Sequence, residues 1–292
     1  MCEFCTKHGE GKKWYLQMKN YSEELLHAKL SPRQKKIIKT KSRVEWVNKF
    51  FENLVLPAPD KVSKQPEEKT KSDQAPKPKP SEKKILEAWK IEHFGQILPI
   101  EDVEAVIDMV NSITRVPCGC RIITTGKADK RFCFGLGLDQ SGILGKYPDA
   151  SSSLEVLEKE EAKKIFHEFD KEGLIHSIWT GITPYVLGLC NCDHDCMAYR
   201  YYIEKDGTPT FFRAEYIGQI DWDLCNGCKS CMKQCQFGAE FYSSLLGKVY
   251  IDPTRCFGCG VCRAACPKGA IKLIPRNEEP KAANIWLRPK PS

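Results

Sequence analysis

Long apolar runs are missing from this 292-residue chain. No stretch approaches the roughly 18 apolar residues that a membrane-spanning helix needs, so we expect no integral membrane segment. The first residues, Met1-Cys2-Glu3-Phe4-Cys5, contain no apolar segment of the kind found in secretory signals. The expectation that follows is a cytoplasmic protein.

Patterns of residues typical of enzyme active sites are also scarce. No nucleophile–base pair, paired-carboxylate site or flavin motif is evident, so we expect no independent catalysis. Gly135 and Gly137 follow no evident strand and precede no phosphate-binding helix. We therefore interpret residues 131–138 as a glycine-bearing loop and not as a nucleotide site.

Positive charge is confined to the N-terminal part of the chain, although the net charge is +7. Residues 1–56 carry +6 and residues 57–84 carry +3, which leaves −2 for the remainder. A nucleic-acid-binding protein would gather its basic residues on one face beside a binding motif. We expect no nucleic acid partner and interpret the basic arm as a solvated or partner-facing segment.

Cysteine, in contrast, is abundant. Sixteen cysteines in a chain expected in the cytoplasm indicate metal binding, because disulfides are rare there. Eight of them form an internal repeat, in which C-x2-C-x2-C-x3-C occurs at residues 225–235 and again 31 positions later at 256–266. One departure from the pattern is Gln236, which stands where the second half has Pro267.

This repeat resembles the two-[4Fe–4S] bacterial ferredoxin family over about residues 218–276. The resemblance implies that three cysteines of each run wrap one cluster, while the fourth starts a short helix and reaches the other cluster. One cluster is then expected at Cys225, Cys228, Cys231 and Cys266. The second is expected at Cys256, Cys259, Cys262 and Cys235. A structural zinc site is the alternative, although zinc ligands usually come as two pairs.

Six more cysteines lie in the middle of the chain, and this concentration indicates a further metal site. We predict a third [4Fe–4S] cluster there, bound by Cys118, Cys120, Cys192 and Cys196. The next candidate ligands are Cys133 and Cys190. Arg121 could stabilise the negative charge of a thiolate-bound cluster. A zinc site of cysteine and histidine, or thiols without metal, are the alternatives.

Cys2 and Cys5 form a C-x2-C pair in the N-terminal arm. The pair supplies two thiolates, so further ligands would have to come from His8 or from the middle cysteines. Half of a cluster site, half of a zinc site and two free thiols are the three interpretations. With the middle cysteines, this pair could complete a fourth cluster.

The hydrophobic pattern predicts helices over residues 22–29, 32–54 and 100–110, and a helix over about 154–172 opened by a capping box at Ser152. It predicts a strand over residues 174–179. A β-hairpin is predicted at Asp206-Gly207, between the aromatic runs Tyr201-Tyr202 and Phe211-Phe212. These aromatic side chains, with Tyr216, are expected in the core.

A wider resemblance covers about residues 90–276. The succession of ILPIEDVEAVID, PCGCR, a helix ending in KEGLIH, LCNCDHDC and the ferredoxin repeat resembles a group of 4Fe–4S proteins of anaerobic bacteria and archaea. These are regarded as electron-transfer proteins or subunits of redox complexes. The resemblance implies a larger oxidoreductase as the partner.

The fold class that follows is α+β, with a cysteine-rich middle domain packed on a bacterial ferredoxin-like domain. We divide the chain into a helical arm at 1–56, a Pro/Lys-rich linker at 57–82, the middle domain at 83–217, the ferredoxin domain at 218–276 and a C-terminal tail at 277–292. The arm is a candidate docking element. The leading hypothesis for function is the relay of single electrons through several clusters. A substrate-binding cluster assisted by Asp193 or His194, and a zinc-containing structural or regulatory module, are the alternatives.

Overall fold

The computed structural model describes residues 13–16, 95–126, 132–138, 154–180, 186–205 and 209–288. The predicted helices at 22–29 and 32–54, the linker at 57–82, and Cys2 and Cys5 lie outside these residues. Within them the chain combines helices and sheets, so the prediction of an α+β protein is confirmed. The described helices include none long and apolar enough to cross a membrane.

A six-stranded sheet forms the frame of the middle domain. Its strands are β1 (Gly95–Ile97), β2 (Ile113–Val116), β3 (Cys133–Leu136), β4 (Glu155–Leu157), β5 (Ile175–Thr180) and β6 (Val186–Cys192). The spatial order is β1-β5-β6-β3-β2-β4, and neighbouring strands are antiparallel. Because β3 and β6 are neighbours, Cys133 lies directly opposite Cys190.

Two helices cover this sheet and bury their apolar sides against it. Helix α1 (Ile100–Met109) begins after Pro99 and has acidic side chains in its first turn. Their negative charge interacts favourably with the positive end of the helix dipole. Helix α3 (Lys159–Glu172) ends at Gly173, whose φ of 85° lets its N–H bond to the carbonyl of Asp170. Between them in sequence, the shorter helix α2 (Gly119–Thr125) begins directly after Cys118. The core shared by α1, α3 and the sheet includes Val103, Ile107, Phe134, Phe166 and Phe169.

Residues 13–16 of the N-terminal arm belong to the same core. Trp14 and Tyr15 form a short 3-10 helix with Leu16, and both rings are buried. The indole of Trp14 donates a hydrogen bond to Gln96, and the Tyr15 hydroxyl donates one to Asp102 over 2.6 Å. This part of the arm therefore packs on the middle domain.

Three predictions for the middle domain were wrong. Helix α3 begins at Lys159 and not near Leu154, because residues 155–157 pair with β2 as an edge strand, aided by an Arg115–Glu155 ion pair of 3.6 Å. Residues 133–136 form strand β3 and not a loop. The predicted strand, in contrast, is present as β5.

The third error concerns the first strand of the hairpin predicted at Asp206-Gly207, whose turn lies outside the described residues. Helix α4 (Met197–Tyr199) continues as a π-helix at Arg200–Glu204, which turns Tyr202 into the interior. Phe212 runs beside β1 and bonds to Gly95 and Ile97 through its backbone. Tyr202, Phe211 and Phe212 are buried as expected, whereas Tyr201 is exposed.

The C-terminal domain is built from two strand pairs. β7 (Tyr216–Ile220) pairs with β10 (Ile271–Pro275), and β8 (Glu240–Ser243) pairs with β9 (Lys248–Ile251). The short helices α5 (Ser230–Gln234) and α6 (Val261–Ala264) precede the fourth cysteine of each run. The expectation that this cysteine starts a helix was therefore wrong. The chain then returns to the middle domain, where Trp286 packs edge-on against Phe212.

The two domains meet where helix α3 ends. Gln236 donates a hydrogen bond of 2.5 Å to the carbonyl of Gly173, and Gln234 donates one of 3.0 Å to Lys171. Arg263 on α6 forms an ion pair of 2.6 Å with Glu101. The described middle and ferredoxin domains are thus in direct contact. The side chain of Gln236 donates a hydrogen bond across this contact, which Pro267 at the equivalent position of the second cysteine run could not do.

Candidate metal centres

Two cavities in the ferredoxin domain are each lined by four cysteines. The cysteines of the inner cavity, here the inner quartet, are Cys235, Cys256, Cys259 and Cys262. The cysteines of the outer cavity, the outer quartet, are Cys225, Cys228, Cys231 and Cys266. Each quartet takes three cysteines from one run and the fourth from the other run.

The donor chemistry of both quartets suits an iron–sulfur cluster. Thiolates are the ligands of such clusters, and hydrogen bonds to their sulfurs tune the reduction potential. Backbone amides are in place for this: Ala239 donates to Cys235 over 3.4 Å and Ala270 donates to Cys266 over 3.3 Å. The donors and acceptors of these two hydrogen bonds are 31 positions apart in the chain, so both halves of the sequence repeat make the same hydrogen bond. Gly218 donates similarly to Cys256 over 3.3 Å.

Burial keeps two of these thiols, Cys231 and Cys235, protonated unless a cation binds them. It raises the pKa of Cys231 to about 12 and that of Cys235 to about 11. Because metals bind the thiolate form, loading of the quartets must release protons.

The quartets differ in their exposure to solvent. Three cysteines of the inner quartet, Cys256, Cys259 and Cys262, are buried, whereas Cys228 of the outer quartet is exposed. The outer quartet also lies beside the β8–β9 turn, because Lys248 donates to the carbonyls of Trp222 and Cys225 over 2.7 and 2.6 Å. Exposed apolar side chains surround this region, including Trp222, Leu224, Leu245 and Leu246.

A buried carboxylate on the wall of the inner cavity was not predicted. Glu240 is 7% exposed and lies beside the thiol of Cys262. Burial raises the pKa of Glu240 to about 7. Its position at the start of β8 carries no motif, so only the fold reveals it.

The six middle cysteines divide into two contacting groups of three. In the Cys118 triad, the thiol of Cys133 lies 3.5 Å from Cys118 and also contacts Cys190. In the Cys196 triad, Cys196 lies 3.3 Å from Cys192 and also contacts Cys120. The structure therefore brings the four predicted ligands and both further candidates into one region. All six are free thiols.

Arg121 lies buried against the Cys118 triad. Its guanidinium donates to the Cys118 sulfur over 3.5 Å and to the Asn191 carbonyl over 3.1 Å, and it forms an ion pair of 2.7 Å with Asp193. Hydrogen bonds from Cys133 and Arg121 lower the pKa of Cys118 to about 6, against the effect of burial. Cys118 is thus the middle cysteine best prepared to be a thiolate.

Asp193 and His194 form ion pairs with side chains other than the six middle cysteines. Asp193 pairs with Arg121, and His194, with 63% of its side chain exposed, lies 2.5 Å from Glu204. His176 is fully buried and lies 2.6 Å from the side-chain oxygen of Asn191, so it packs in the interior. In the described part of the chain, no three His, Cys, Asp or Glu side chains are placed to hold a single metal ion.

A continuous apolar cluster joins the Cys196 triad to the inner quartet. Cys192 and Cys196 pack in the same buried cluster as Phe257 and Cys259. Tyr199, on the helix that follows Cys196, lies 5.8 Å from Phe237 between ring centroids, and its hydroxyl donates to the carbonyl of Gln236. Sequence reasoning placed neither Tyr199 nor Phe237 at a site, because they become neighbours only when the domains dock.

Comparison with known protein families identifies the C-terminal part. Residues 224–271 match the family model of the 4Fe-4S dicluster domain. The matched range includes every cysteine of the inner and outer quartets. The bacterial-type ferredoxin domain predicted from the cysteine repeat is therefore confirmed, and its cofactors are [4Fe–4S] clusters.

The curated proteins that are similar to this chain match short stretches of it. The matches include an archaeal-type glutamate synthase (NADPH) of Thermotoga maritima, 39% identical over 59 residues, and the indolepyruvate oxidoreductase subunit IorA of Pyrococcus horikoshii, 34% identical over 62 residues. A subunit of an ion-translocating oxidoreductase complex of Methanosarcina acetivorans is 45% identical over 49 residues. The matches cover 20%, 21% and 17% of this chain, and 12%, 10% and 18% of those proteins. All three are named as oxidoreductases or their subunits. The 4Fe-4S dicluster domain of this chain supports electron transfer.

Proposed function

We propose that this protein relays single electrons to or from a larger oxidoreductase. The observation that carries the proposal is the pair of cavities, each lined by four cysteines drawn from both halves of the repeat. The inner and outer quartets would hold one [4Fe–4S] cluster each, and such clusters supply one-electron transfer. The names of the similar proteins support a redox complex as the setting.

The difference in burial gives the two quartets different roles. Cys228 and the apolar side chains at Leu245 and Leu246 are open to a partner, so the outer quartet is where electrons enter or leave. The inner quartet, shielded by Phe237 and Phe257, faces the middle domain. Low solvent access around buried thiolates is one of the factors that set a cluster potential.

A cytoplasmic setting and anaerobic metabolism fit the cysteine chemistry. All 14 cysteines within the described ranges are free thiols, a state that reducing compartments preserve. A zinc-containing module remains the competing function, and metal analysis separates the two.

The test is anaerobic purification of the full chain, followed by iron, sulfide and zinc analysis and low-temperature EPR. We expect Cys225→Ser and Cys256→Ser each to remove about four irons and one cluster signal, because each replaces one ligand of a different quartet. The matched control is Ser230→Ala, which removes only a side chain 3.5 Å from the Cys228 sulfur and should leave the iron content unchanged. Zinc in place of iron would contradict the proposal.

A further inference from the structure

Six thiols from well-separated parts of the chain meet in the middle domain. Each of the two C-x-C segments, at residues 118–120 and 190–192, gives one cysteine to each triad. Cys133 of β3 and Cys196 at the start of α4 complete the two groups. Hydrophobic packing alone does not need six sulfurs in one place, and such a gathering of thiolate donors is typical of a metal centre.

The Cys196 triad and Cys118 have the features of ligands. Cys118, Cys192 and Cys196 are 1%, 3% and 3% exposed, so their sulfurs face the interior. Cys118 accepts a hydrogen bond from the buried Arg121, whose positive charge compensates the charge of thiolates. Cys120 reaches the same interior through its contact with Cys196.

Cys133 and Cys190 are held side by side by strand pairing. They lie directly opposite across β3 and β6, next to a hydrogen bond of 2.9 Å from the Asn191 amide to the Phe132 carbonyl. Antiparallel residue pairs alternate, so the Cys133–Cys190 pair is one without backbone hydrogen bonds, where side chains are closest. The Cys133 thiol donates towards Cys118, which makes it a hydrogen-bond partner of a ligand.

We propose that the middle domain holds a third [4Fe–4S] cluster, ligated by Cys118, Cys120, Cys192 and Cys196, with Cys133 and Cys190 as flanking thiols. This inference rests on the proposed electron-transfer function and extends it. The cluster is chosen over a single metal ion because six thiols meet here, more than the four ligands that a single zinc ion takes.

The proposed third cluster site is connected to the inner quartet through packed aromatic side chains. Cys196 caps helix α4, which carries Tyr199. Tyr199 packs on Phe237, and Phe237 follows Cys235 of the inner quartet by two residues. Phe237 in turn stacks on Phe257 with ring centroids 4.0 Å apart. The third centre would therefore exchange electrons with the inner quartet. A one-electron exchange breaks no bond and needs no further reactant.

The first experiment needs no variant. Iron and acid-labile sulfide are measured in the full chain after anaerobic purification and cluster reconstitution. We expect about twelve or more of each per chain, because the two ferredoxin clusters account for only about eight. A value of about eight, with no additional cluster signal in the EPR spectrum, would overturn the proposal and leave the two-cluster function standing.

The second experiment assigns the ligands. Cys192→Ser and Cys196→Ser should each lose about four irons, while the EPR signals of the two ferredoxin clusters persist and show that the chain is folded. The matched controls are Cys133→Ser and Cys190→Ser, which should keep all the iron and change only the signal of the third cluster. Loss of iron from these controls, or none from the ligand variants, would overturn the assignment. Absence of the ferredoxin signals from the wild-type protein would instead contradict the proposed function.

Discussion

At the residue scale, a glycine between the first two cysteines of each run decides whether the binding loop can form. Gly227 and Gly258 have φ angles of 70° and 72°, a region that side chains rarely adopt. Both are also pressed against backbone carbonyls, Gly227 against Gly247 and Gly258 against Tyr216. The motif C-x-G-C thus encodes a close approach of two chain segments as well as ligand spacing.

The Gly258→Ala variant tests this interpretation. Its new methyl group would meet the Tyr216 carbonyl, which belongs to strand β7 and cannot move alone. We expect a loss of stability of about 3 kcal/mol or more, the sum of an unfavourable φ and a steric clash. The measurement is anaerobic thermal unfolding of the loaded protein.

Gly269→Ala is the matched control for this prediction. Gly269 has a φ of 60°, but an added methyl group there meets no atom within 4 Å. It should cost only the backbone penalty, about 1 kcal/mol. Equal losses for the two variants would show that the contact with Tyr216 is unimportant.

At the element scale, the two domains are joined by aromatic side chains from four segments. Phe257 of the second cysteine run packs edge-on against Phe211 and Tyr202, with centroid distances of 6.0 and 6.4 Å. Phe237, which follows the first run, stacks on the ring of Phe257. The π-helical stretch Arg200–Glu204, which stands where the first strand of the hairpin was predicted, places Tyr202 in this contact.

Phe257→Ala should therefore destabilise both domains together. Phe257 is 2% exposed, and removal of a fully buried phenylalanine costs about 3–5 kcal/mol. We expect a lower midpoint of urea unfolding, measured by fluorescence and by loss of cluster absorbance. The control is Phe241→Ala, since the partly exposed Phe241 ring stacks on Tyr250 within the β8–β9 pair, away from the junction. An effect no larger than that of the control would contradict a structural role for the aromatic junction.

At the scale of the whole molecule, the N-terminal arm is attached to the middle domain through residues 13–16. Lys13 and Tyr15 both bind Asp102, at 2.6 Å each, and Trp14 is buried beside them. A deletion of residues 1–56 would remove these contacts, so it would test stability and partner binding at once. Point variants separate the two.

Trp14→Ala should lower stability by about 3–5 kcal/mol, because it leaves a cavity in the core and removes the donor that bonds to the Gln96 oxygen. Tyr15→Phe, which removes only the hydroxyl bound to Asp102, should cost about 1–2 kcal/mol. Thermal unfolding of the full chain measures both changes. A melting temperature unchanged by Trp14→Ala would show that the arm is not part of the folded domain.

Local sequence patterns predicted what depends on neighbours along the chain. The doubled cysteine run, helix α1 after Pro99 and strand β5 all follow from spacing or periodicity within short windows. Local patterns failed where tertiary contacts outweighed them. The pattern predicts a helix at residues 155–157, but these residues are extended because they pair with the edge of β2. It predicts a loop at residues 133–136, whereas they form β3, whose partners β2 and β6 are distant in sequence.

The chemistry of this protein follows from its amino-acid sequence, which has sixteen cysteines, eight of them at a spacing that fits the [4Fe–4S] dicluster domain. The tertiary structure was needed to show how the thiols are placed. It showed which of the two predicted ferredoxin quartets is buried and which is exposed, and the pairing of β3 with β6 placed Cys133 directly opposite Cys190. It also placed Glu240 and Tyr199 beside the inner quartet. Ligand type is a property of the residue, whereas proximity is set by strand pairing and domain docking.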